Sequence, residues 1–237
     1  MTDPQEKFRS IREFYDNEYY AHASTGARLP WHCRLIAARL GNMSSRTVLD
    51  VACGTGEWLD YFRHHGASVA GIDLSQKAID ECTRRFPDGQ FVCGPAETLP
   101  FADQSFDLVT CMGSLEHFLD KPAALSEMKR VAKDDAQFLI LVPNAGFLTR
   151  RLGLYAGTNQ VKAREDVFDL DTWASLFDNA GLQVVARWRD LHPISWFWIA
   201  KGNPLSWPVR AAQALALATW PIGWQYQVYH HCKAAHG

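Results

Sequence analysis

The stretch VLDVACGTGEWLDYF (Val48–Phe62) constrains the fold more than any other part of the chain. A short apolar run enters a turn carrying Gly54 and Gly56, and an amphipathic segment leaves it. Glycines at such a turn reach backbone conformations closed to other residues and let a ligand approach the main chain closely. The helix that follows presents unpaired N–H groups at its start. In open α/β sheets, ligands sit at the carboxyl ends of the strands near the switch in strand order, so this segment marks a ligand site at the first strand.

The sequence around it alternates short apolar runs with amphipathic segments. Strands are predicted at Arg46–Val51, Ala67–Ile72, Gln90–Cys93, Phe106–Cys111, Gln137–Val142 (closed by Pro143), Leu182–Trp188 and Gln225–His231. Helices are predicted at Glu57–His65 (stopped by Gly66), at Ser75–Phe86 with Ser75 as N-cap and Pro87 beyond the end, at Pro122–Val131, and at Asp171–Asn179 with Gly181 as its stop. Such alternation implies a parallel sheet with helices on both faces. FDLVT (Phe106–Thr110) and FLILV (Phe138–Val142) are apolar on both sides, as central parallel strands require. The first forty residues read as helical: Phe8, Ile11, Phe14 and Tyr15 recur at helical spacing, Leu35 to Leu40 form a second apolar face, and Gly26 and Pro30 punctuate between them.

Composition narrows the partners. A net charge of −2 over 237 residues leaves no positive excess to neutralise a phosphate backbone, which argues against nucleic acid. With 47% hydrophobic and 21% charged residues, the chain is globular rather than disordered. The six cysteines (Cys33, Cys53, Cys82, Cys93, Cys111 and Cys232) lack CxxC spacing, and several lie in strand-like runs; buried, reduced thiols in a reducing cytosol are expected. MTDPQEKFRS has no apolar signal core, and no apolar run reaches the ~18 residues of a spanning helix, so a cytoplasmic location is expected.

Two acids refine the ligand. The turn reads Asp50-Val51-Ala52-Cys53-Gly54-Thr55-Gly56, with a carboxylate at the strand end. That carboxylate would oppose a pyrophosphate and suits a ligand with a cationic amine; capping of the turn or helix is the plainer reading, and the two are compatible. GIDLS (Gly71–Ser75) places Asp73 at the end of the second strand, 23 residues after Asp50, where an acid can accept hydrogen bonds from ribose hydroxyls.

VLDVACGTG, GIDLS, AETLPF and FDLVTCMGSLEHF occur in that order, and together they resemble the class I S-adenosylmethionine-dependent methyltransferases, in particular the small-molecule branch with the ubiquinone and menaquinone methyltransferases. The resemblance runs from about Val48 to Val185. It implies a Rossmann-like three-layer α/β sandwich with a seven-stranded, mostly parallel sheet and an antiparallel last strand. It also implies a helical cap over 1–45, a methyltransferase core over 46–190, and an aromatic-rich insertion with the final strand over 191–237. The implied cofactor is S-adenosylmethionine, with S-adenosylhomocysteine as product; it carries an ammonium and a sulfonium and no phosphate.

By the same resemblance, Asp50, Ala52, Gly54 and Gly56 line the methionine end of the cofactor, and Asp73 holds the ribose with Leu74 against the adenine. Ala96 and Glu97 lie by the adenine edge, Met112 packs near the cofactor, and Tyr15 and Tyr20 come from an N-terminal helix that closes over it. Ala52 stands where relatives often carry glycine. Pro95 replaces an Asp that bonds the adenine amino group in many relatives, so Glu97 substitutes or packing holds the ring. His117 is the first candidate for a base acting on an acceptor, since its natural pKa lies near neutrality; Glu116 is the second. A catalytically silent cofactor-binding subunit acting through a partner, and a nicotinamide-dependent oxidoreductase, are the rival readings.

Other features read as structural. His32 and Cys33 look like a catalytic pair on paper, but adjacent helical side chains do not face each other. His230, His231, Cys232 and His236 suggest a metal; His230 and His231 would point to opposite faces of a strand, so no metal is expected. GTNQV (Gly157–Val161) borders the acceptor by position alone. Residues 191–224 concentrate Trp196, Phe197, Trp198, Trp207, Trp220 and Trp224. Three readings stay open: a lid over an apolar, aromatic or lipid-linked small-molecule acceptor, a homo-oligomer interface, or a peripheral membrane contact. Lys201 and Arg210 are that segment's only lysine and arginine, which weighs against the membrane.

Overall fold

The computed structural model describes residues 8–9, 11–13, 15–20, 28–153, 165–200 and 203–235. Phe14, Gly26, the GTNQV segment, Lys201 and His236 lie outside the described residues. Seven strands form one sheet: β1 (Thr47–Val51), β2 (Ser68–Asp73), β3 (Gln90–Cys93), β4 (Phe106–Met112), β5 (Ala132–Pro143), β6 (Leu182–Arg189) and β7 (Gln227–Ala234), in the order β3-β2-β1-β4-β5-β7-β6. The first five run parallel, and β7 pairs antiparallel with both β5 and β6. The order reverses between β1 and β4, so the glycine turn after β1 opens at the switch point, where a crevice forms at the strands' carboxyl ends.

Six of the helices among the described residues frame the sheet: α1 (Trp31–Ala38), α2 (Glu57–His64), α3 (Gln76–Arg85), α4 (Lys121–Val131), α5 (Leu170–Asn179) and α6 (Trp207–Thr219). The four with predicted limits, α2 to α5, form within a residue of them. Caps explain three of the starts: Ser75, Asp120 and Asp169 accept hydrogen bonds from the amides of Ala78, Ala123 and Thr172. Helices cover both faces. Leu49, Val109, Phe138 and Ile140 pack with α4 and α5 on one side, through residues such as Met128, Trp173 and Phe177. Val48, Leu108 and Leu139 pack with α1, α2 and α3 on the other, through Ile36, Phe62 and Cys82. Each fully buried large side chain of this kind contributes roughly 1.5–3 kcal/mol.

Two strands differ from expectation by two residues or more. β5 begins at Ala132 rather than Gln137, because Ala132 pairs with Phe106 ahead of a register shift in which the polar run Lys133–Asp135 of β5 bulges opposite the Phe106–Leu108 step of β4. Pro143 closes that strand as its last residue: it lies opposite Gln227, and its carbonyl accepts the Trp173 indole N–H at 2.8 Å. β7 runs two to three residues later than expected, from Gln227 to Ala234, with Gln225 and Tyr226 in the connection before it.

The six cysteines are free thiols. Among the described residues no helix is long and apolar enough to cross a membrane.

Candidate functional site

The turn after β1 places three residues in the left-handed region: Ala52 at φ 61°, Gly54 at 54° and Gly56 at 83°. Gly56 admits no side chain, since a Cβ would stand 2.6 Å from the Phe86 ring. Over Gly54 lies the Tyr20 hydroxyl, 3.0 Å from where a Cβ would sit. Ala52 takes the same backbone region at a cost that glycine would not incur.

Two carboxylates bracket the turn. Asp50 is buried beside Thr110 of β4, directly opposite it in register, and accepts the Thr110 hydroxyl at 2.6 Å. Burial pushes its carboxyl up to about 7, against the opposing pull of that hydrogen bond. Asp73 accepts the Gly54 amide through one oxygen at 2.9 Å and the Ser75 amide through the other at 2.8 Å. Burial raises its pKa as well, and the two amides oppose the shift. Each oxygen keeps a further lone pair.

These groups line a cavity of about 320 Å³ at the carboxyl ends of β1, β2 and β4. Every sequence-predicted cofactor residue except Gly56 borders it: Asp50, Ala52, Gly54, Asp73, Leu74, Ala96, Glu97, Met112, Tyr15 and Tyr20. Gly56 instead caps α2, where its left-handed backbone turns the chain into the helix. Glu97 lines the wall, but one of its oxygens accepts the amides of Leu119 and Asp120, which ties it to the loop after β4. Sequence reasoning missed Glu57 and Trp58, in the first turn of α2, and Phe118 and Leu119 beyond His117. Glu57 could have been found from its place just after Gly56; its carboxylate accepts the Thr55 hydroxyl at 2.6 Å.

The N-terminal segment closes this cavity. Residues 15–19 form a π-helical turn, and Phe8, Ile11, Tyr15 and Tyr20 face the cavity. Asp16 fastens the segment to the start of α3: it accepts the Ser75 hydroxyl at 2.5 Å, and its carbonyl accepts the Lys77 ammonium at 2.7 Å.

The structure separates the two candidate bases. His117, in a 3₁₀ turn after β4, lines the cavity half-buried. Glu116 is not among the lining residues; it turns into the protein, where burial pushes its carboxyl up to about 7, Glu165 adds to that rise, and Lys121 opposes it. Its Oε2 is buried without a hydrogen-bond partner.

The His32–Cys33 pair and the histidines of β7 stand apart from the cavity. His32 Nδ1 and Cys33 Sγ are 3.4 Å apart, contrary to the expectation for neighbouring helical residues; Cys33 lies near the start of α1, where its thiol also reaches toward the Tyr229 hydroxyl at 3.8 Å. Burial pushes the Cys33 thiol up to about 11, which favours its protonated form over the thiolate. His230 packs edge-on against Phe177, and His231 packs on Trp188 across the opposite face. Burial, assisted by Arg187, holds His230 down to about 4.

Comparison with known proteins places this geometry. Residues 49–140 match a family model described as a methyltransferase domain. A demethylmenaquinone methyltransferase of Renibacterium salmoninarum is 37% identical over 117 residues, 49% of this chain and 49% of that protein. An uncharacterized methyltransferase of Synechocystis sp. is 32% identical over 147 residues, 59% of this chain and 68% of that protein. The chain spans about half the length of the first curated relatives it matches. Among solved structures, the Burkholderia thailandensis 1,6-didemethyltoxoflavin-N1-methyltransferase, with 1,6-didemethyltoxoflavin and S-adenosylhomocysteine bound, superposes with a TM-score of 0.65 at 18% identity, over 100% of this chain and 92% of that one.

Proposed function

Because the chain belongs to the class I S-adenosylmethionine-dependent methyltransferase family, we propose that it binds S-adenosylmethionine in the cavity at β1, β2 and β4 and methylates an apolar, ring-bearing small molecule. One observation carries the cofactor reading. The cavity wall holds four carboxylates (Asp50, Glu57, Asp73 and Glu97) and, among the described residues, no lysine or arginine. Such a lining repels a pyrophosphate and attracts a cationic nucleoside. The buried Asp50, whose carboxyl is pushed up to about 7, fits the same ligand, since a nearby ammonium would favour its charged form.

When bound, S-adenosylmethionine supplies a methyl group on a sulfonium, already activated for in-line displacement. The chain's own residues position and desolvate. Asp50 and Gly54 are assigned to the methionine end, Asp73 to the ribose, and Leu74 and Ala96 to the adenine. Tyr15 and Tyr20 close the site from above, and exclusion of water with alignment of the reacting groups is worth ~7–11 kcal/mol in favourable cases. His117 is assigned to take the acceptor's proton at one of its ring nitrogens. Glu116 has no place in that step, since its carboxyl lies off the cavity wall.

Phe8, Ile11, Trp58, Met112 and Phe118 give the cavity an aromatic and apolar rim, which supports an acceptor of quinol type such as the name of the Renibacterium relative indicates for that protein. The test is incubation with methyl-labelled S-adenosylmethionine and a panel of demethylated naphthoquinols and simpler phenols. Labelled product is expected. Binding of the cofactor without product from any acceptor would favour a silent subunit, and tight nicotinamide dinucleotide binding in its place would overturn the reading.

A further inference from the structure

We propose that the face built by α1 and residues 191–224 docks on an anionic lipid surface. Large apolar side chains stand in solvent there: Trp196 is 68% exposed, Phe197 74%, Leu205 86% and Val209 61%, with Trp31 and Leu35 of α1 also exposed. Isolated exposed apolar residues are ordinary; aromatic and aliphatic groups gathered on adjoining elements mark an interaction surface. The elements do adjoin. The His32 ring of α1 meets the His192 ring edge-on at 5.3 Å, and the Trp196 ring meets that of Trp207, the first residue of α6, at 5.5 Å.

Charge selects the occupant. No aspartate or glutamate occurs from 191 to 237 or from 19 to 49. Arg28, Arg34 and Arg39 are exposed on or beside α1, and Arg210 lies over the Trp198 ring at 5.3 Å. Asp190, the nearest acid in sequence, is largely buried beside His32 and His192. Apolar and aromatic residues with a basic rim fit the boundary of a bilayer whose headgroups are negative. A second copy fits less well, because a two-fold interface would set these arginines against themselves. The position suits the chemistry: β6 ends and β7 begins at the carboxyl end of the parallel strands, the end of the sheet that holds the cavity, so the intervening residues leave the sheet at that end.

The inference goes beyond the transfer reaction and is tested without acceptor. The full chain is sedimented with vesicles of phosphatidylglycerol and phosphatidylcholine, and with phosphatidylcholine alone. Binding to the anionic vesicles is expected, with a blue shift of tryptophan emission and weakening by salt. Trp196→Ser combined with Phe197→Ser is expected to weaken binding at least tenfold at an unchanged thermal midpoint, and Arg28→Glu with Arg34→Glu to weaken the anionic preference. No sedimentation with either vesicle overturns the proposal. So does a dimer in solution that the Trp196/Phe197 variant dissociates while vesicles stay unbound. Calorimetry with S-adenosylmethionine on the same preparation tests the cofactor reading separately, so the failure of either is recognised without the other.

Discussion

The Asp73 carboxylate, at the end of β2, accepts the backbone amide of Gly54 in the turn after β1, at 2.9 Å. Its other oxygen accepts the Ser75 amide ahead of α3. One side chain thus clamps the glycine turn and sets the entry to the next helix while also lining the cavity. Asp73→Ala is expected to cost about 2–4 kcal/mol of stability, from two amides left without their acceptor. It should also weaken S-adenosylmethionine binding by more than tenfold. Asp73→Asn keeps one acceptor oxygen and should fall between the two. Urea titration and calorimetry measure the two effects, and a wild-type urea midpoint in the Ala variant would show that the clamp contributes nothing.

Asp50 is expected to make cofactor binding depend on pH. Burial lifts its carboxyl from 3.8 to about 7, so folding favours the protonated form. The free protein therefore has this contribution in full below pH ~4 and loses it as pH rises toward 7. Cofactor affinity runs the other way, because only the charged form pairs with an ammonium. Affinity is expected to rise roughly tenfold between pH 6 and pH 7.5. Asp50→Asn should flatten that rise, weaken binding, and stabilise the free protein above pH 7. Calorimetric titrations and thermal melts across this range check each sign.

The two ends of the turn should respond oppositely to a methyl group. Ala52 sits at φ 61°, so Ala52→Gly relieves a left-handed alanine and is expected to change stability by no more than about 1 kcal/mol, in the stabilising direction. Gly54→Ala places a Cβ 3.0 Å from the Tyr20 hydroxyl and keeps a positive φ, so it should destabilise the protein and displace the N-terminal segment. Tyrosine fluorescence is dominated by tryptophan here, so limited proteolysis of residues 8–20 is the better readout. Equal proteolysis of both variants would argue against the Tyr20 contact.

His117→Ala is expected to lower kcat by ~10²–10⁴ with little change in cofactor affinity, as loss of a proton acceptor does. Separate determination of kcat and KM checks this. An unchanged kcat with a raised KM for the acceptor would make His117 a positioning residue instead.

Much of this was legible along the chain because it depends on neighbours. Ser75 reads as a cap from the residues beside it, and α3 starts there. FLILV reads as a buried strand, and Phe138 to Val142 occupy the middle of the sheet. What the sequence did not show lay where partners are distant. The start of β5 depends on Ala132 meeting Phe106, and the 3₁₀ turn after β4 decides that His117 borders the cavity while Glu116 is not among its lining residues.

The order of residues alone settled the alternation of strands and helices, the left-handed turn and the carboxylates at two strand ends, since periodicity, capping and glycine's backbone freedom act within a few residues. Tertiary structure decided what each group meets. Thr110 reaches Asp50 across 60 residues, and the Tyr20 hydroxyl covers Gly54. The arginines of α1 come beside an aromatic segment that by itself carries only two basic residues, Lys201 and Arg210. Hydrogen bonds, burial and charge act through space, and the strand order that brings these groups together is set by packing the whole sheet.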